Sequence, residues 1–513
     1  MKKTNKLYIL ALSFILVTAC DDGFNDLNTS KTGATSVDPV LVLNNAVINS
    51  SPTPSLNYEI AIVQQWFSSN TGVLEGGNFN KKNIGNTPAN WVNYYQNVIK
   101  YTNDVITRTK SDATRSNLYN MARIIQANAF MILTDTYGDI PYSEAGGGST
   151  AQVFFPKYEA QSSIYPKIID ELTQASASLD AAGKIETSDV LYAGNIAKWK
   201  KFGYSLLLRA GMRISKADAA KAQSAVAAAF AGGPILVNAD NAIIFHDANY
   251  VNGIGNTVNG TEAANYYLGE PFVNALKSTS DPRLSSIAVR YVGATSGPGQ
   301  TAAVATTAAA NQFGMKVGAT DGSAQTDAVA AGLVSRYAYS QVDRTRLVKR
   351  TSPMFVVTAG QTNLLLAEAV MKGWVTSGTA PAYFAAGISA HMDQMATYDA
   401  GAAVLAADRN TYVAANPLNA DFATNGPNAN QQVGYQYWIA SFLHGPEAWA
   451  NFRRTGFPTL LTPNPFVGDI PAGTFIARVT YPPSEILVNG KNVTDAITSM
   501  GADALSTKVW WNK

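Results

Sequence analysis

Few side chains in this 513-residue sequence are spaced for covalent or metal chemistry. The three histidines, His246, His391 and His444, lie far apart, and none has a second His or Cys at a ligand spacing. The sequence contains no Gly-x-Ser-x-Gly elbow and no Gly-rich phosphate loop. Asp135 and Asp139 fall at the end of a predicted helix, where turn hydrogen bonds explain them better than a catalytic pair does. We therefore predict no catalytic residue, no metal site and no cofactor, and we expect that the protein is not an enzyme.

One carboxylate stands out because it interrupts an apolar helical pattern. Glu368 has apolar neighbours on both sides, so it is either a catalytic acid with a raised pKa or a buried, paired charge. We favour the pair, because buried charges need partners. Arg453 or Arg454 is the predicted partner of Glu368, and Arg478 is the predicted partner of Glu485.

Aromatic and amide side chains in predicted loops are the more informative set. The chain has 8 Trp, 24 Tyr and 20 Phe. Sugar rings stack on exposed aromatic faces while amides bind hydroxyls, and the same aromatic rings anchor peptides. Candidate ligand contacts are Trp66 and Asn70 in an early loop, with Asn249, Tyr250 and Tyr266 in a middle segment. For Trp66 and Tyr250, packing in the core is an equal alternative.

The N-terminus reads as an export signal that ends at a cysteine. Lys2 and Lys3 give a positive start before an apolar run, Leu7–Val17, which is too short to span a bilayer. Residues 1–19 are therefore a predicted signal peptide and residues 20–37 a tether. The sequence around Cys20, the only cysteine, resembles the lipobox of bacterial lipoproteins, which implies that Cys20 carries the lipid. Such an anchor would hold the protein on a membrane.

Charge and hydropathy exclude other membrane and nucleic-acid classes. The sequence has 38 basic and 36 acidic residues, and no basic patch interleaves with aromatics, so no nucleic-acid partner is expected. No segment after the signal peptide reaches the roughly 18 apolar residues of a transmembrane helix. The lipid is thus the only predicted membrane attachment.

Periodic apolar residues predict a mainly α fold. The predicted helices begin near Asp38, Tyr58 and Pro88 and then span about 117–137, 160–179, 195–214, 217–230, 262–276, 361–373, 381–395, 435–442 and 447–454. A short strand is expected at Ala242–Phe245. Residues 291–332, rich in Ala, Thr and Gly, are expected to be irregular, and little regular structure is expected after Arg454.

Helical pairs that recur every 35 to 45 residues or so suggest tetratricopeptide-type units. Two stretches carry partial signatures of such units, in which small residues allow close helix approach and large residues fill the gaps. These are Trp199, Phe202, Gly203 and Leu206 in one helix, and Ala380, Phe384 and Gly387 in another.

Four further stretches carry a family resemblance. They are Tyr-Gly-Asp-Ile-Pro-Tyr-Ser-Glu-Ala at 137–145, Asn-Leu-Leu-Leu-Ala-Glu-Ala at 363–369, the Glu-Ala-Trp and Arg-Arg-Thr-Gly-Phe-Pro motifs within 447–458, and Arg-Val-Thr-Tyr-Pro-Pro-Ser-Glu with a later Asn at 478–489. Together with the lipobox, they resemble the SusD/RagB family of Bacteroidetes outer-membrane lipoproteins, and more narrowly its divergent SusD-like branch. Asp21 and Asp22 resemble the acidic signal that sends such lipoproteins to the cell surface.

The resemblance implies a single body, residues 38–513, built on four helical-repeat pairs. The scaffold would occupy about 38–232 and 361–456, and a loop-rich ligand lobe about 233–360 and 457–513. It also implies a partner, a SusC-type TonB-dependent outer-membrane barrel over which the lipoprotein acts as a lid.

We therefore expect a cell-surface binding protein that captures an oligosaccharide and delivers it to this barrel. Three other functions stay open at this point. The first is peptide capture by a RagB-like protein with the same barrel partner. The second is a cell-envelope hydrolase, against which the missing catalytic motifs count. The third is a helical scaffold that binds only protein.

Overall fold

The computed structural model describes residues 37–51, 57–70, 77–85, 88–419, 422–458 and 468–513. Residues 39–513 form one compact unit. Cys20, the predicted signal peptide and most of the predicted tether lie outside the described residues. In the described part of the chain, no helix has both the length and the apolar character needed to cross a membrane.

Helices supply most of the regular structure, which confirms the mainly α prediction. The helices of the first half are α1 (Pro39–Asn49), α2 (Asn57–Ile62), α3 (Pro88–Asn93), α4 (Lys100–Thr109), α5 (Ser116–Tyr137), α6 (Gln161–Ser178), α7 (Ile196–Arg213) and α8 (Ala219–Gly232). The helices of the second half are α9 (Gly253–Val258), α10 (Glu270–Ser278), α11 (Arg283–Ile287), α12 (Asp321–Ala330), α13 (Ala359–Met371), α14 (Ala380–Tyr398), α15 (Ala406–Ala415), α16 (Phe422–Ala440), α17 (Gly445–Thr455), α18 (Pro483–Val488) and α19 (Gly490–Met500). A π-helical turn, Tyr94–Ile99, joins α3 to α4.

The described strands are short and pair in antiparallel fashion, and six of the nine lie in the middle segment, residues 233–358. The strands are β1 (Trp66–Phe67), β2 (Ile140–Pro141), β3 (Tyr158–Glu159), β4 (Ala242–Ile244), β5 (Tyr267–Leu268), β6 (Ala288–Tyr291), β7 (Ala305–Thr306), β8 (Gln341–Val342) and β9 (Met354–Val357). β1 pairs with β5, β2 with β3 and β4 with β9, and β6 lies between β7 and β8. The strand predicted near Ala242 is confirmed as β4.

Neighbouring helices pack as the tetratricopeptide-like pattern predicts. α5 packs against α6, α7 against α8, and α13 against α14. The signature side chains Trp199, Phe202 and Leu206 of α7 are fully buried. Gly203 allows α7 to approach α6, because an added Cβ would lie 2.1 Å from the Ser176 Oγ.

The second signature glycine, Gly387 in α14, provides a test of this packing. An added Cβ would lie 2.7 Å from the Leu364 Cγ and 3.0 Å from the Gly360 carbonyl oxygen in α13. We expect Gly387→Ala to lower the free energy of unfolding by about 1–3 kcal/mol, because overpacking outweighs the gain in helix propensity of about 1 kcal/mol. Urea denaturation followed by circular dichroism measures the change.

Gly322→Ala is the matched control, because Gly322 lies in α12 with no heavy atom within 4 Å of the added Cβ. This variant should be neutral or slightly stabilising. A Gly387→Ala protein as stable as the wild type would show that α13 and α14 do not need this close approach.

Two stretches contain more regular structure than the sequence predicted. Residues 291–332 include β7 and α12, whose start is capped reciprocally by Thr320 and Ser323. The chain after Arg454 includes α18 and α19. α12 has a weak apolar stripe and takes its stability from its cap and from tertiary packing, which periodicity does not reveal. α19 buries Val493, Ala496 and Met500 on one face, and this spacing was a usable signal that was missed.

The C-terminal segment packs on the helical scaffold, although the resemblance had placed residues 457–513 in the loop lobe. The Arg478 Nε donates to the Tyr137 carbonyl oxygen at 3.0 Å, at the end of α5. The Trp511 Nε1 donates to the Asp135 carboxylate at 2.8 Å. Burial of these two polar groups requires such partners, so this segment is tied to α5, and the lobe boundaries stay a prediction.

Glu368 pairs with Arg454, one of its two predicted partners. Nη1 and Nη2 of Arg454 donate to the two carboxylate oxygens at 2.7 and 2.6 Å. Burial would raise the pKa of Glu368, but the charge of Arg454 outweighs it and holds the pKa below its ordinary value. Arg453 is not the partner, because its guanidinium lies 3.6 Å from the Trp449 ring centroid and 4.9 Å from that of Trp511.

The predicted pair of Glu485 and Arg478 is wrong. Arg478 forms an ion pair with Asp503 at 2.7 Å. Glu485 lies in α18 and accepts a hydrogen bond from the Tyr158 hydroxyl at 3.0 Å. The start of α18 between the two residues turns their side chains towards different parts of the scaffold.

Glu59 in α2 is a buried carboxyl group that the sequence analysis did not single out. It is 1% exposed, and the Asn90 Nδ2 donates to its Oε1 at 3.0 Å, while its Oε2 has no hydrogen-bond partner among the described residues. Burial raises the pKa of Glu59 to about 8 from an ordinary 4.5. The folded protein therefore keeps this carboxyl group protonated at pH values where the unfolded chain has already released the proton.

The free energy of unfolding should consequently fall as the pH rises through the window from about 4.5 to 8, by up to about 1.4 kcal/mol per pH unit from this group. Glu59→Gln keeps the shape without the proton equilibrium. We expect this variant to match the wild type at pH 5 and to be more stable than it at pH 8, as measured by urea denaturation at both pH values. A stability difference that does not change with pH would contradict this prediction.

Candidate ligand-binding site

Two of the predicted ligand contacts, Trp66 and Tyr266, are buried. Trp66 is 0% exposed and Tyr266 is 6% exposed. Their ring centroids lie 5.1 Å apart with an angle of 38° between the planes. The pairing of β1 with β5 brings the two rings together and covers them. Neither has a free face for a ligand, so the prediction of direct contact is wrong for both, and they support the loops above them.

Asn249 and Tyr250 lie on the surface in a tight turn. The Asp247 carboxylate accepts hydrogen bonds from the backbone amides of Asn249 and Tyr250 at 2.7 and 2.8 Å. Tyr250 is 55% exposed, so its ring is available to a ligand. Neither residue lines the cleft described below, and a ligand role for them stays a prediction.

Next to Asn70, a hydrogen bond and an ion pair connect the early loop to the middle segment. The Ser69 hydroxyl donates to the Asp321 carboxylate at 2.6 Å, and Arg336 forms an ion pair with the same carboxylate. Partial burial would raise the pKa of Asp321, but the bonds from Arg336 and Ser69 hold it below its ordinary value. Asn70 is half-buried, and its ligand role also stays a prediction.

An open cleft of about 560 Å³ lies in the middle segment, beside the sheet of β7, β6 and β8. We call it the lobe cleft. It is lined by Asn259, Val289, Tyr291, Gln300, Ala302, Ala305, Thr307, Asp343, Arg344, Thr345 and Arg346. Its volume falls in the range of small-molecule sites, roughly 300–1,000 Å³. Amides, hydroxyls, guanidinium groups and one tyrosine therefore surround a space that a small polar ligand would fill.

One wall of the lobe cleft is formed by Tyr291 and Arg344. The guanidinium carbon of Arg344 lies 5.5 Å from the Tyr291 ring centroid. The Arg344 Nη2 also donates to the Tyr291 hydroxyl at 3.3 Å. This stacking holds the guanidinium in place without neutralising it, because its two contacts are with a neutral ring and a neutral hydroxyl.

Asp343 and Arg346 form a second, internally satisfied unit. The Asp343 Oδ1 accepts from the Thr345 amide and hydroxyl and from the Arg346 amide, and its Oδ2 accepts from the Arg346 Nε at 2.6 Å. Arg346 also donates to the carbonyl oxygens of Gly401 and Ser285. The pair therefore shapes the cleft and leaves little capacity for a ligand.

Gln300 is a buried amide on the cleft wall. Its Nε2 donates to the Tyr337 carbonyl oxygen at 3.0 Å and lies 3.4 Å from the Tyr267 hydroxyl. Its Oε1 accepts no hydrogen bond from any described residue. This oxygen is itself buried, so a ligand in the cleft does not reach it, and Gln300 serves to shape the cleft wall.

The sequence analysis missed Tyr291, Gln300 and Arg344. Gln300 lies in the stretch rich in Ala, Thr and Gly that was expected to be irregular, and Arg344 lies in a charged stretch that looked like ordinary surface. The pairing of β6 with β8 brings the three residues together. A usable signal was the alternation around Val289 and Tyr291, which indicates a strand.

A second cleft, of about 340 Å³, lies where two of the family stretches meet. The Tyr481 hydroxyl donates to the Asp139 carbonyl oxygen at 2.6 Å, and the Asn489 amide donates to the Pro156 carbonyl oxygen at 2.8 Å. Trp91 stacks on Tyr158 with ring centroids 5.9 Å apart. These contacts join α3, β3 and α18, so the stretches have a structural role.

Each of the three histidine side chains has a hydrogen-bonding partner nearby. The His246 Nε2 lies 2.7 Å from the Ser51 hydroxyl, and the His391 Nδ1 lies 3.1 Å from the Arg283 guanidinium. His444 caps α17. Within the described ranges, no group of three or more His, Cys, Asp or Glu side chains is arranged to hold a metal ion.

Helical hairpins that carry a middle segment of short strands and loops define the class of protein, a tetratricopeptide-like helical fold with a cleft in that segment. The chain belongs to the SusD-like family whose model, described as starch-binding and associating with the outer membrane, matches residues 31–482. The predicted resemblance to the divergent SusD-like branch is thus confirmed.

Solved structures agree with this assignment. A chitin-binding protein is 30% identical, with a TM-score of 0.80 over 93% of this chain and 100% of its own. A chitin-binding SusD homologue from Flavobacterium johnsoniae shares the fold at 24% identity, with a TM-score of 0.74 over 93% of this chain and 98% of its own. A SusD homologue from Bacteroides uniformis ATCC 8492 shares it at 22% identity, with a TM-score of 0.75 over 93% of this chain and 100% of its own. No curated protein sequence matches the chain significantly.

Proposed function

We propose that this protein captures an oligosaccharide in the lobe cleft. The observation that carries the proposal is the cleft itself, which is lined by amide, hydroxyl and guanidinium side chains and one tyrosine, in a family described as starch-binding. The chitin-binding protein that is 30% identical supports the same class of ligand. Sugar hydroxyls are both donors and acceptors, which suits a site with amides and hydroxyls on several sides.

The capture involves binding without a reaction. Asp343, the one carboxylate of the lobe cleft, is held by Thr345 and Arg346 and is not free to act as an acid or a base. The second half of the proposal is that the protein acts as a lid over a SusC-type TonB-dependent barrel and delivers the ligand to it. Ligand binding would shift the population between the positions of this lid by as much as the ligand's affinity differs between them.

A binding measurement with two single variants tests the site. We expect the mature protein, purified in detergent, to bind oligosaccharides derived from chitin or starch in isothermal titration calorimetry. Arg344→Ala should weaken binding about tenfold, because one lost hydrogen bond from this half-exposed, cleft-lining side chain is worth about 1.4 kcal/mol. Tyr250→Ala is the matched control and should leave the affinity unchanged.

The reverse pattern, with Tyr250→Ala weakening and Arg344→Ala neutral, would move the site to the surface turn of Asn249 and Tyr250. Binding of short peptides without any glycan response would favour the RagB-like alternative. Thermal midpoints of both variants should equal that of the wild type, so that lost binding is not lost folding.

The proposed anchor and partner have a test of their own. We propose that Cys20 carries the lipid and that the protein lies on the outer surface of the outer membrane. Cys20→Ala should abolish labelling with a clickable fatty acid and move the protein from the outer-membrane fraction to the supernatant of the membrane preparation. Affinity purification of the wild type should co-purify a TonB-dependent barrel. Retention of the lipid label in the Cys20→Ala variant would contradict the proposed anchor.

A further inference from the structure

Large apolar side chains are exposed around the second cleft, the one of about 340 Å³ where two of the family stretches meet. We call them the apolar rim, which consists of Val92, Phe154, Phe155, Ile486, Leu487 and Val488. Each is at least 40% exposed, and Leu487 is 86% exposed. Single exposed apolar residues are ordinary, but a group of six beside one cleft marks a surface that another molecule covers.

Hydrogen bonds hold the two parts of the apolar rim together. The Asn489 Nδ2 donates to the Pro156 carbonyl oxygen at 2.8 Å, and the Asn492 Nδ2 donates to the Phe155 carbonyl oxygen at 3.1 Å. These bonds attach the segment that contains the two phenylalanines to the region where α18 meets α19. The rim is therefore preformed, and a molecule that binds it does not have to order this segment first.

The floor of the second cleft is a packed group of aromatic rings. The ring centroid of Trp91 lies 4.8 Å from that of Tyr95 and 5.9 Å from that of Tyr158. The Tyr95 hydroxyl donates to the Pro141 carbonyl oxygen at 2.7 Å, so its polar end is already satisfied. A side chain that enters the cleft consequently meets apolar surface below it as well as at the rim.

Glu485 is the one charged residue among the described residues that line the second cleft. It is half-exposed, it accepts a hydrogen bond from the Tyr158 hydroxyl at 3.0 Å, and it forms no ion pair with any described residue. The apolar rim is what indicates that the surface is covered. The carboxylate determines which occupant fits, because a partner that desolvates it must supply a cation.

Two other occupants fit this carboxylate poorly. A second copy of the chain, packed rim to rim about a twofold axis, would bring two Glu485 carboxylates into one small area. A bilayer surface attracts basic residues and makes a carboxylate costly among apolar side chains, and the described lining of the second cleft includes no lysine or arginine. A protein segment with a lysine or arginine among apolar side chains meets both requirements.

We propose that the apolar rim and the second cleft form the docking surface for a partner protein, whose segment packs apolar side chains on the rim and places one lysine or arginine beside Glu485. The inference rests on the proposed function in one respect, because the barrel proposed there is the partner to which we assign this surface. Different residues line the lobe cleft, so the protein would bind its ligand and its partner at separate surfaces.

The affinity of the mature protein for the purified barrel, both in detergent, tests the rim and is measured by biolayer interferometry. Leu487→Gln should raise the dissociation constant about tenfold, because it removes the most exposed apolar contact of the rim. Leu405→Gln is the matched control, because Leu405 is 68% exposed and lies outside the rim and the cleft. The control should change the dissociation constant less than about twofold, and both variants should keep the thermal midpoint of the wild type.

Glu485→Gln tests the charge, because glutamine can still accept the hydrogen bond from Tyr158. This variant should bind the barrel about tenfold more weakly at low salt, and the difference from the wild type should shrink as salt is added. A photo-cross-linker in a Phe155→benzoylphenylalanine variant should attach to a barrel segment that contains a lysine or arginine. Exchange of that residue for glutamate should weaken binding, and Glu485→Lys should restore it.

Four results would overturn the inference in distinguishable ways. A Leu487→Gln protein that binds the barrel as tightly as the wild type would leave the barrel as partner and refute this docking surface. Full affinity of Glu485→Gln would refute the paired cation. Cross-links to a second copy, to the protein's own N-terminal segment or to lipid would refute the assigned occupant. A wild type that does not bind the barrel would refute the proposed delivery together with this inference, while carbohydrate capture is judged by its own titration.

Discussion

Arg213 connects parts of the chain that are distant in sequence, and the scaffold depends on that connection. Its side chain is 2% exposed, and its guanidinium lies 2.6 Å from Glu447 of α17 and 3.1 Å from Asp135 of α5. An unpaired charge at this depth costs several kcal/mol, so α5, α7 and α17 reach their packed positions together. Trp511 joins the same cluster through a hydrogen bond to Asp135, which attaches the C-terminal segment to α5.

Arg209, one helical turn before Arg213 in α7, extends this polar cluster to the edge of the middle segment. The Arg209 Nη2 donates to the Val356 carbonyl oxygen in β9 at 3.1 Å and to the Gln361 side chain in α13 at 2.9 Å. β9 pairs with β4, so the strands that border the middle segment are held by scaffold side chains. Loops on a rigid support of this kind can present a ligand site without losing the fold.

Arginines in this protein fall into two groups with different physics. Arg213, Arg454 and Arg346 are matched by carboxylates and contribute to a single packed arrangement. Arg344 is oriented by the ring and hydroxyl of Tyr291 and has no carboxylate partner among the described residues. The first group is fixed by charge pairing in the interior, whereas Arg344 is held only by a neutral aromatic side chain at the wall of the lobe cleft.

Sequence alone determined the parts of this protein that depend on local spacing. Apolar periodicity predicted the long helices, and the small residues Gly203 and Gly387 marked the helix faces that approach closely. The need of a buried charge for a partner predicted that Glu368 is paired. The family resemblance followed from stretches that the structure shows to be structural contacts.

Tertiary structure decided which distant residues meet. Glu368 could pair with either of two adjacent arginines, and only the orientation of α17 selected Arg454 and turned Arg453 onto Trp449. The sequence left binding and core packing as equal alternatives for Trp66, and the pairing of β1 with β5 places it in the core. The lobe cleft exists because β6 and β8 pair across a long connection, and such non-local pairing leaves no periodic trace in the sequence between the strands.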